Sequence, residues 1–348
     1  MKLNYLVAGL MACLIFVGCK TQKGKFEFVT PESGTSMSKG EKVRLALRFP
    51  TDAPDSVVYS VDGDILASKT DTSSVEFDAD KFNYGNRSLS AKVYYEGKED
   101  IAYTNILIVP AAPTAYQFEV LNTYPHDENA FTQGLQYENG VLYESTGMTG
   151  RSSIRKVDLK TGKVLSKTDL TGEDFGEGMT IVDDKIIMLT WVSGKGFVYN
   201  KQNLSLVKTF DYANPQQEGW GIAYDGKRLI KTDGSAFLYF LDPVTFRQLD
   251  SIEVFDNNGA VDSLNELEYV DGKIYANLYH ADRDEVVIIN PETGVVEGRI
   301  NFVGLYDGKR KSTGTEMNGI AYNRDSKTFY VTGKDWSKLF EVRLSPRN

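Results

Sequence analysis

Trp220-Gly221-Ile222-Ala223-Tyr224 (WGIAY) and Asn318-Gly319-Ile320-Ala321-Tyr322 (NGIAY) are one phrase written twice. Looser copies stand at Gln133-Gly134-Leu135-Gln136-Tyr137, Glu177-Gly178-Met179-Thr180-Ile181 and Asn265-Glu266-Leu267-Glu268-Tyr269. From 133 to 177, 220, 265 and 318 the steps are 44, 43, 45 and 53 residues. A period near this length, with several strands in each unit, is a propeller signature. Symmetry then places the five leading residues, Gln133, Glu177, Trp220, Asn265 and Asn318, at equivalent points. That mixture suits a site better than a core.

Working outward, the first copy is followed by strand-like runs at 141–145, 153–158 and 164–169, with turns at Glu138-Asn139-Gly140 and Lys160-Thr161-Gly162-Lys163. The next three units repeat this plan. The fifth offers only 320–322, 328–332 and 338–344 before the chain ends. Its missing strand is expected from 116–124 (YQFEVLNTY), which would close the ring and remove an exposed sheet edge. The expected fold is all-β: a five-bladed β-propeller over 113–348.

Ahead of it, 26–112 carry short alternating runs such as Val43-Arg44-Leu45-Ala46-Leu47-Arg48-Phe49. These predict a small immunoglobulin-like β-sandwich over 20–112, after a polar tether at 20–25. No chemistry is visible there, and a spacer or docking role is expected. Pro110-Ala111-Ala112-Pro113 reads as a stiff linker.

At the N-terminus, Lys2 precedes an apolar run over 5–17 that ends Phe16-Val17-Gly18-Cys19. The run is short for a membrane span. A small residue before Cys, then Lys20-Thr21-Gln22, resembles a bacterial lipoprotein signal, although Phe16 departs from the usual Leu. A plain secretory signal or an uncleaved anchor is the alternative. The expectation is a signal peptide over 1–19, lipid on Cys19, and attachment to a membrane of the bacterial cell envelope. Cleavage would remove Cys13, leaving no free thiol for disulfide, metal or nucleophile chemistry.

The 348 residues carry a formal net charge of −9 and no basic stripe, which argues against a nucleic-acid partner. Only two histidines occur, His126 and His280, so a three-His zinc centre is impossible and a Ser-His-Asp triad has little material. Asp-rich turns such as Asp183-Asp184 are candidates for a structural calcium ion, against the simpler reading of a solvated turn. Otherwise no cofactor is required.

In a blade, the first strand begins and the second ends at the same mouth. Aligning the second strands places Thr146, Trp191, Gly234, Tyr279 and Lys334 beside the leading residues. One mouth thus collects Gln133, Glu177, Trp191, Trp220, Asn265, Tyr279, Asn318 and Lys334. A carboxylate, an ammonium, amides and large aromatics make a polar pocket with hydrophobic walls, as small-molecule sites have. A wet channel with an aromatic plug is the plainer reading.

FTQGL (131–135), FGEGMT (175–180), EGWG (218–221), TDGS (232–235), LDPVTF (241–246), LNELEY (264–269), MNGIAY (317–322), VTGK (331–334) and KLFEV (338–342) together resemble the plant-type glutaminyl cyclases, or glutamine cyclotransferases. The likeness spans about 116–345 and none of the first 112 residues. It implies a metal-independent five-bladed propeller that turns the N-terminal Gln of peptides or proteins into pyroglutamate and releases ammonia. Glu177 matches the family's essential carboxylate, and Phe131, Gln133 and Phe175 match pocket residues beside it. Trp191 and Trp220 match aromatic walls, Asn265 the fourth-blade Asn, and Lys334 the Lys of VTGK. Tyr279 stands where the family has Trp. The chain is expected to act as a monomer.

This chemistry suits these residues. The substrate's own α-amine attacks its γ-carboxamide, so the protein mainly holds a ring-closing conformer. The leaving nitrogen needs a proton, and one carboxyl, Glu177, can shuttle it. Asn265 or Gln133 can donate to the developing oxyanion, and Lys334 can hold a peptide carbonyl or tune Glu177. Two other readings stay open: a non-catalytic surface propeller that binds peptide ends or glycans, and a metal-assisted hydrolase of the lactonase sort.

Overall fold

The structure, a computed structural model, describes residues 26–50, 54–212, 218–280, 283–308 and 315–347. The signal segment and Cys19 lie outside these residues. The fold is all-β, with a single 3-10 turn at Ala79–Lys81 among the described residues. Its contacts divide the chain into two units. The first holds the stretches up to Thr35, Lys42–Asp78 and Arg87–Ile106. The second holds Ser36–Glu41, Ala79–Asn86 and Leu107 onward.

The N-terminal strands form two sheets. One, of three strands, is ordered Glu27–Thr30, Lys42–Arg48, Val75–Asp78. The other, of five, is ordered Thr35–Ser38, Lys98–Val109, Gly85–Tyr95, Ser56–Val61, Asp64–Lys69. Alternation sets the inward face: Val43, Leu45 and Leu47 are buried while Lys42, Arg44 and Arg48 are exposed. Thr35–Ser38 and Asp64–Lys69 carry little apolar alternation, and the sequence did not reveal them as strands.

The second unit is a series of antiparallel meanders, giving a propeller-like fold. Thr132–Glu138, Val141–Thr146, Ser153–Asp158 and Val164–Asp169 make the first. Gly176–Val182, Lys185–Thr190, Lys195–Asn200 and Leu206–Asp211 make the second. Ile222–Tyr224, Leu229–Lys231, Phe237–Leu241 and Gln248–Glu253 make the third. Leu264–Val270, Lys273–Leu278, Glu285–Ile289 and Val296–Asn301 follow as the fourth, and Met317–Asn323, Thr328–Gly333 and Lys338–Pro346 as the fifth. A two-stranded hairpin, Phe255–Asp256 with Gly259–Ala260, sits between the third and fourth and was not foreseen.

The strand Thr114–Pro125 pairs antiparallel with Lys338–Pro346, completing the fifth meander from the N-terminal side. Its first residues also pair in parallel with Gly298–Ile300, so the fourth and fifth meanders share one eight-stranded sheet.

Apolar packing joins the meanders in a cycle. Tyr143 and Ile154 of the first meet Met179, Ile186 and Met188 of the second. Ile187 and Leu189 meet Ile222 and Tyr239. Ile230 and Phe240 meet Leu267 and Ile274, and Val286 and Ile288 meet Ile320 and Val331. Ala321, Tyr330 and Leu339 of the fifth then meet Leu135 and Leu142 of the first. Each fully buried large aliphatic or aromatic side chain contributes roughly 1.5–3 kcal/mol. The hydrophobic effect therefore stabilises the interfaces between sheets.

Along the axis, the residue after each leading residue is Gly in four meanders. A Cβ on Gly178 would lie 2.5 Å from the Trp220 carbonyl oxygen, and one on Gly221 2.0 Å from that of Asn265. Only glycine permits such an approach of the innermost strands. In the fourth meander the place is taken by Glu266, which is 1% exposed. Its Oε1 accepts the Leu135 N–H at 3.2 Å and its Oε2 the Ile320 N–H at 2.9 Å. One side chain thus fills the neck and ties the first, fourth and fifth meanders together.

Candidate active site

The innermost strands lose regular pairing where the leading residues stand. Register breaks fall between Thr132 and Gly134, Gly176 and Met179, Leu264 and Leu267, and Met317 and Ile320. Bulges of this kind re-aim side chains. They turn Gln133, Glu177 and Asn265 into a cavity of about 250 Å³, lined also by Phe131, Met148, Phe175, Trp191, Trp220, Tyr279 and Lys334. All nine site residues expected from the sequence line it. Met148 is an addition. It lies in an irregular loop with φ 83°, where no periodicity marks a residue.

Glu177 lies at the floor, 5% exposed. Gln133 donates from Nε2 to Glu177 Oε1 at 2.8 Å. Gln133 is oriented in turn by Asn318, whose Nδ2 donates to Gln133 Oε1 at 2.7 Å and to the Thr132 carbonyl at 3.1 Å. Asn318 therefore has a task that its position in the repeat could not disclose. Burial pushes the Glu177 carboxyl well above the ordinary carboxylate range; Lys334 pulls it down, and the Glu218 charge pushes it up again.

Lys334 is buried, with Nζ 5.2 Å from the Phe131 ring centre and 4.6 Å from that of Tyr279. Its Nζ also lies 4.0 Å from Glu316. Burial lowers its pKa, while Glu177 and Glu316 act in the opposite direction. Asn265 is 4% exposed, and its Oδ1 has no hydrogen-bond partner among the described residues. Such an atom on a cavity wall is suited to a ligand N–H.

The walls are aromatic. Phe175 meets Trp191 edge-on at 5.6 Å and Phe131 at 6.0 Å. Trp220 meets Tyr279 edge-on at 5.6 Å. Gly234, at φ 81°, seats the Trp220 indole, since a Cβ there would fall 2.6 Å from its Cζ2. Trp336 belongs elsewhere. It is fully buried, stacks on Tyr306 at 4.3 Å, and donates to the Thr315 carbonyl. Thr146 likewise turns from the cavity toward Ser153.

His126 forms no triad. Its Nδ1 faces the Trp336 carbonyl at 2.8 Å and its Nε2 faces Glu144 at 2.9 Å, a bridge between the fifth and first meanders. No group of three or more His, Cys, Asp or Glu side chains among the described residues is placed to hold a metal ion, the Asp183-Asp184 turn included.

A family model described as glutamine cyclotransferase matches residues 92–344. The match starts earlier than the repeat, inside the strand Gly85–Tyr95. A glutaminyl-peptide cyclotransferase of Arabidopsis thaliana is 41% identical over 232 residues, 66% of this chain and 71% of the relative. The crystal structure of Myxococcus xanthus glutaminyl cyclase aligns with a TM-score of 0.63 at 33% identity, covering 68% of this chain and 100% of that one. The protein belongs to the glutamine cyclotransferase family.

Proposed function

We propose that the chain is a glutaminyl-peptide cyclotransferase, turning N-terminal glutamine into pyroglutamate with release of ammonia. The observation that carries the reading is Glu177: a buried carboxyl, bonded on one oxygen by Gln133, at the floor of an aromatic-walled cavity. The Arabidopsis and Myxococcus proteins are named for this activity.

The α-amine of the substrate has a pKa near ~7.7–8.0, so roughly a tenth to a sixth of it is neutral at pH 7. Its lone pair attacks the γ-carboxamide carbon, and a tetrahedral centre forms. Glu177, kept protonated by burial, gives its proton to the departing nitrogen. The C–N bond breaks, ammonia leaves, and Glu177 recovers a proton from the new ring nitrogen. The reaction needs no oxidant and no metal. The unpartnered Asn265 Oδ1 would accept a substrate N–H and Lys334 would hold an amide or peptide oxygen, while Trp191, Trp220 and Tyr279 would flank the flat amide and exclude water.

The same reading takes the five meanders as a five-bladed propeller and the N-terminal sheets as an immunoglobulin-like module. A lipid on Cys19 would hold the monomeric enzyme at a membrane of the cell envelope. Mass spectrometry of a Gln-initiated peptide, with and without chelator, tests the activity. Ammonia loss that persists with chelator is expected; no loss from several such peptides overturns the reading. Saturable binding without turnover would favour a binding module.

A further inference from the structure

Glu218 stands two residues before Trp220, outside every strand, and belongs to none of the repeat positions. Its Oε2 accepts the Trp220 indole N–H at 2.8 Å and the Trp191 indole N–H at 3.0 Å. The two tryptophans come from different meanders. Trp191 directly follows the second strand of the second, and Trp220 lies two residues before the first strand of the third. Trp191 is 42% exposed, so packing alone leaves it free to swing. A single carboxylate oxygen sets its distance from Trp220.

The carboxylate is itself seated. Lys231, 1% exposed, donates from Nζ to the Glu218 carbonyl at 2.8 Å and lies 5.2 Å and 4.9 Å from the ring centres of Tyr212 and Tyr239. The Gly219 N–H donates to the Trp191 carbonyl at 3.0 Å. A buried lysine holding the main chain of one glutamate is more than a surface ion pair.

We propose that Glu218 is a positioning residue of the site: its carboxylate spaces the two indole walls over Glu177 and turns a negative charge toward that carboxyl. The proposal rests on the cyclotransferase reading for its kinetic consequences, though not for its geometry. Several groups surround Glu177. Gln133 bonds it from the first meander, and Lys334, with Glu316 behind it, faces it from the fifth. Glu218 faces it from the third, with Lys231 and Asp233 behind, and the Tyr212 phenol feels its charge from the second. Asn265 and Tyr279 stand on the fourth-meander side. Among these, Glu218 is the negative group that favours a proton on Glu177.

Two substitutions separate the two roles. Glu218→Gln keeps a carbonyl acceptor for the indoles and removes the charge. Glu218→Ala removes both. For a Gln-initiated peptide, Glu218→Ala should raise KM about tenfold, the scale of losing charge-assisted hydrogen bonds. Glu218→Gln should keep KM within about threefold of wild type. With the repelling charge gone, Glu177 loses its proton more readily. The alkaline limb of its kcat/KM profile should therefore move to lower pH. Acrylamide quenching of tryptophan emission supplies a readout that needs no turnover, because Trp336 is buried and quenching reports on Trp191 and Trp220. Quenching should rise in Glu218→Ala and stay near wild type in Glu218→Gln. Unchanged quenching and KM in both variants, with only a lower Tm, overturns the proposal. If wild type releases no ammonia, the cyclotransferase reading fails, and quenching still decides whether Glu218 holds the walls.

Discussion

The two ends of the innermost strands use similar residues for opposite purposes. At the far end lies a larger cavity, about 460 Å³, lined by Gln136, Glu268, Asn323, Asp183 and several tyrosines among others. There Gln136 accepts the Ile181 N–H at 2.8 Å and Glu268 accepts the Tyr322 N–H at 3.0 Å. Both side chains staple one innermost strand to its neighbour. At the near end, Asn318 donates to Gln133, and Gln133 donates in turn to Glu177. Both ends hold a buried carboxyl pushed above its usual range, Glu268 to about 8. Neither size nor a raised pKa marks the site. What marks it is a polar chain that ends on a carboxyl facing an aromatic cavity.

Exchanging one atom at each end should break the symmetry most visibly. Glu177→Gln is expected to lower kcat by about 10²–10⁴-fold, the range for a general acid–base group. Glu268→Gln should leave ammonia release within about twofold of wild type. Equal losses in the two variants would dissolve the distinction. Next in size is Asn318→Ala, which frees Gln133. A fall in kcat of roughly tenfold is expected, with KM little changed, since a charge-free hydrogen bond is worth about 1 kcal/mol and misplacement adds to it. Steady-state kinetics on one Gln-initiated peptide checks both.

A third test reads stability. Glu268 is held neutral by burial, so its folded pKa of about 8 exceeds the unfolded value near 4.5. Its contribution is present in full below the unfolded pKa and is lost as pH rises through the folded one. Thermal melts of Glu268→Gln and wild type should nearly coincide at pH 4–5. Above pH 8 the variant should melt higher, by about 2–4 °C for each kcal/mol regained. A gap that is constant with pH would show that Glu268 does not titrate across folding. The smallest effect is expected from Tyr279→Trp, which places the Trp that the family resemblance implies against Trp220 and Lys334. A change in kcat/KM of about threefold or less should appear, because an aromatic wall exists either way.

Much of this architecture was legible because repetition samples one environment five times. Leading residues aligned at 133, 177, 220, 265 and 318 locate the cavity without coordinates, and the short fifth unit points to the strand Thr114–Pro125 that completes it. For residues outside the repeat, no such comparison assigns a role, even where a motif such as EGWG (218–221) contains them. Glu218 precedes its strand and Met148 sits in a left-handed loop position, so neither belongs to a comparable set. Asn318 stands in the repeat, yet its identity alone does not give its role. Its role depends on which way an amide points across a register break, and no pattern of residue types encodes that. Glu266 was passed over because the pattern at that place is Gly, and only the approach distances show that a single side chain fits.

That one side chain has a consequence for what can be read. With Glu266 stopping the neck, the cavity is a cup rather than a tunnel. A polypeptide cannot thread through a cup; it can only dip an end into it. Under the proposed activity, the choice of a terminal glutamine over an internal one needs no dedicated recognition group. The free α-amine that attacks already sets a terminal glutamine apart, since an internal α-nitrogen is an amide and no nucleophile, and the shape of the cup adds to that choice.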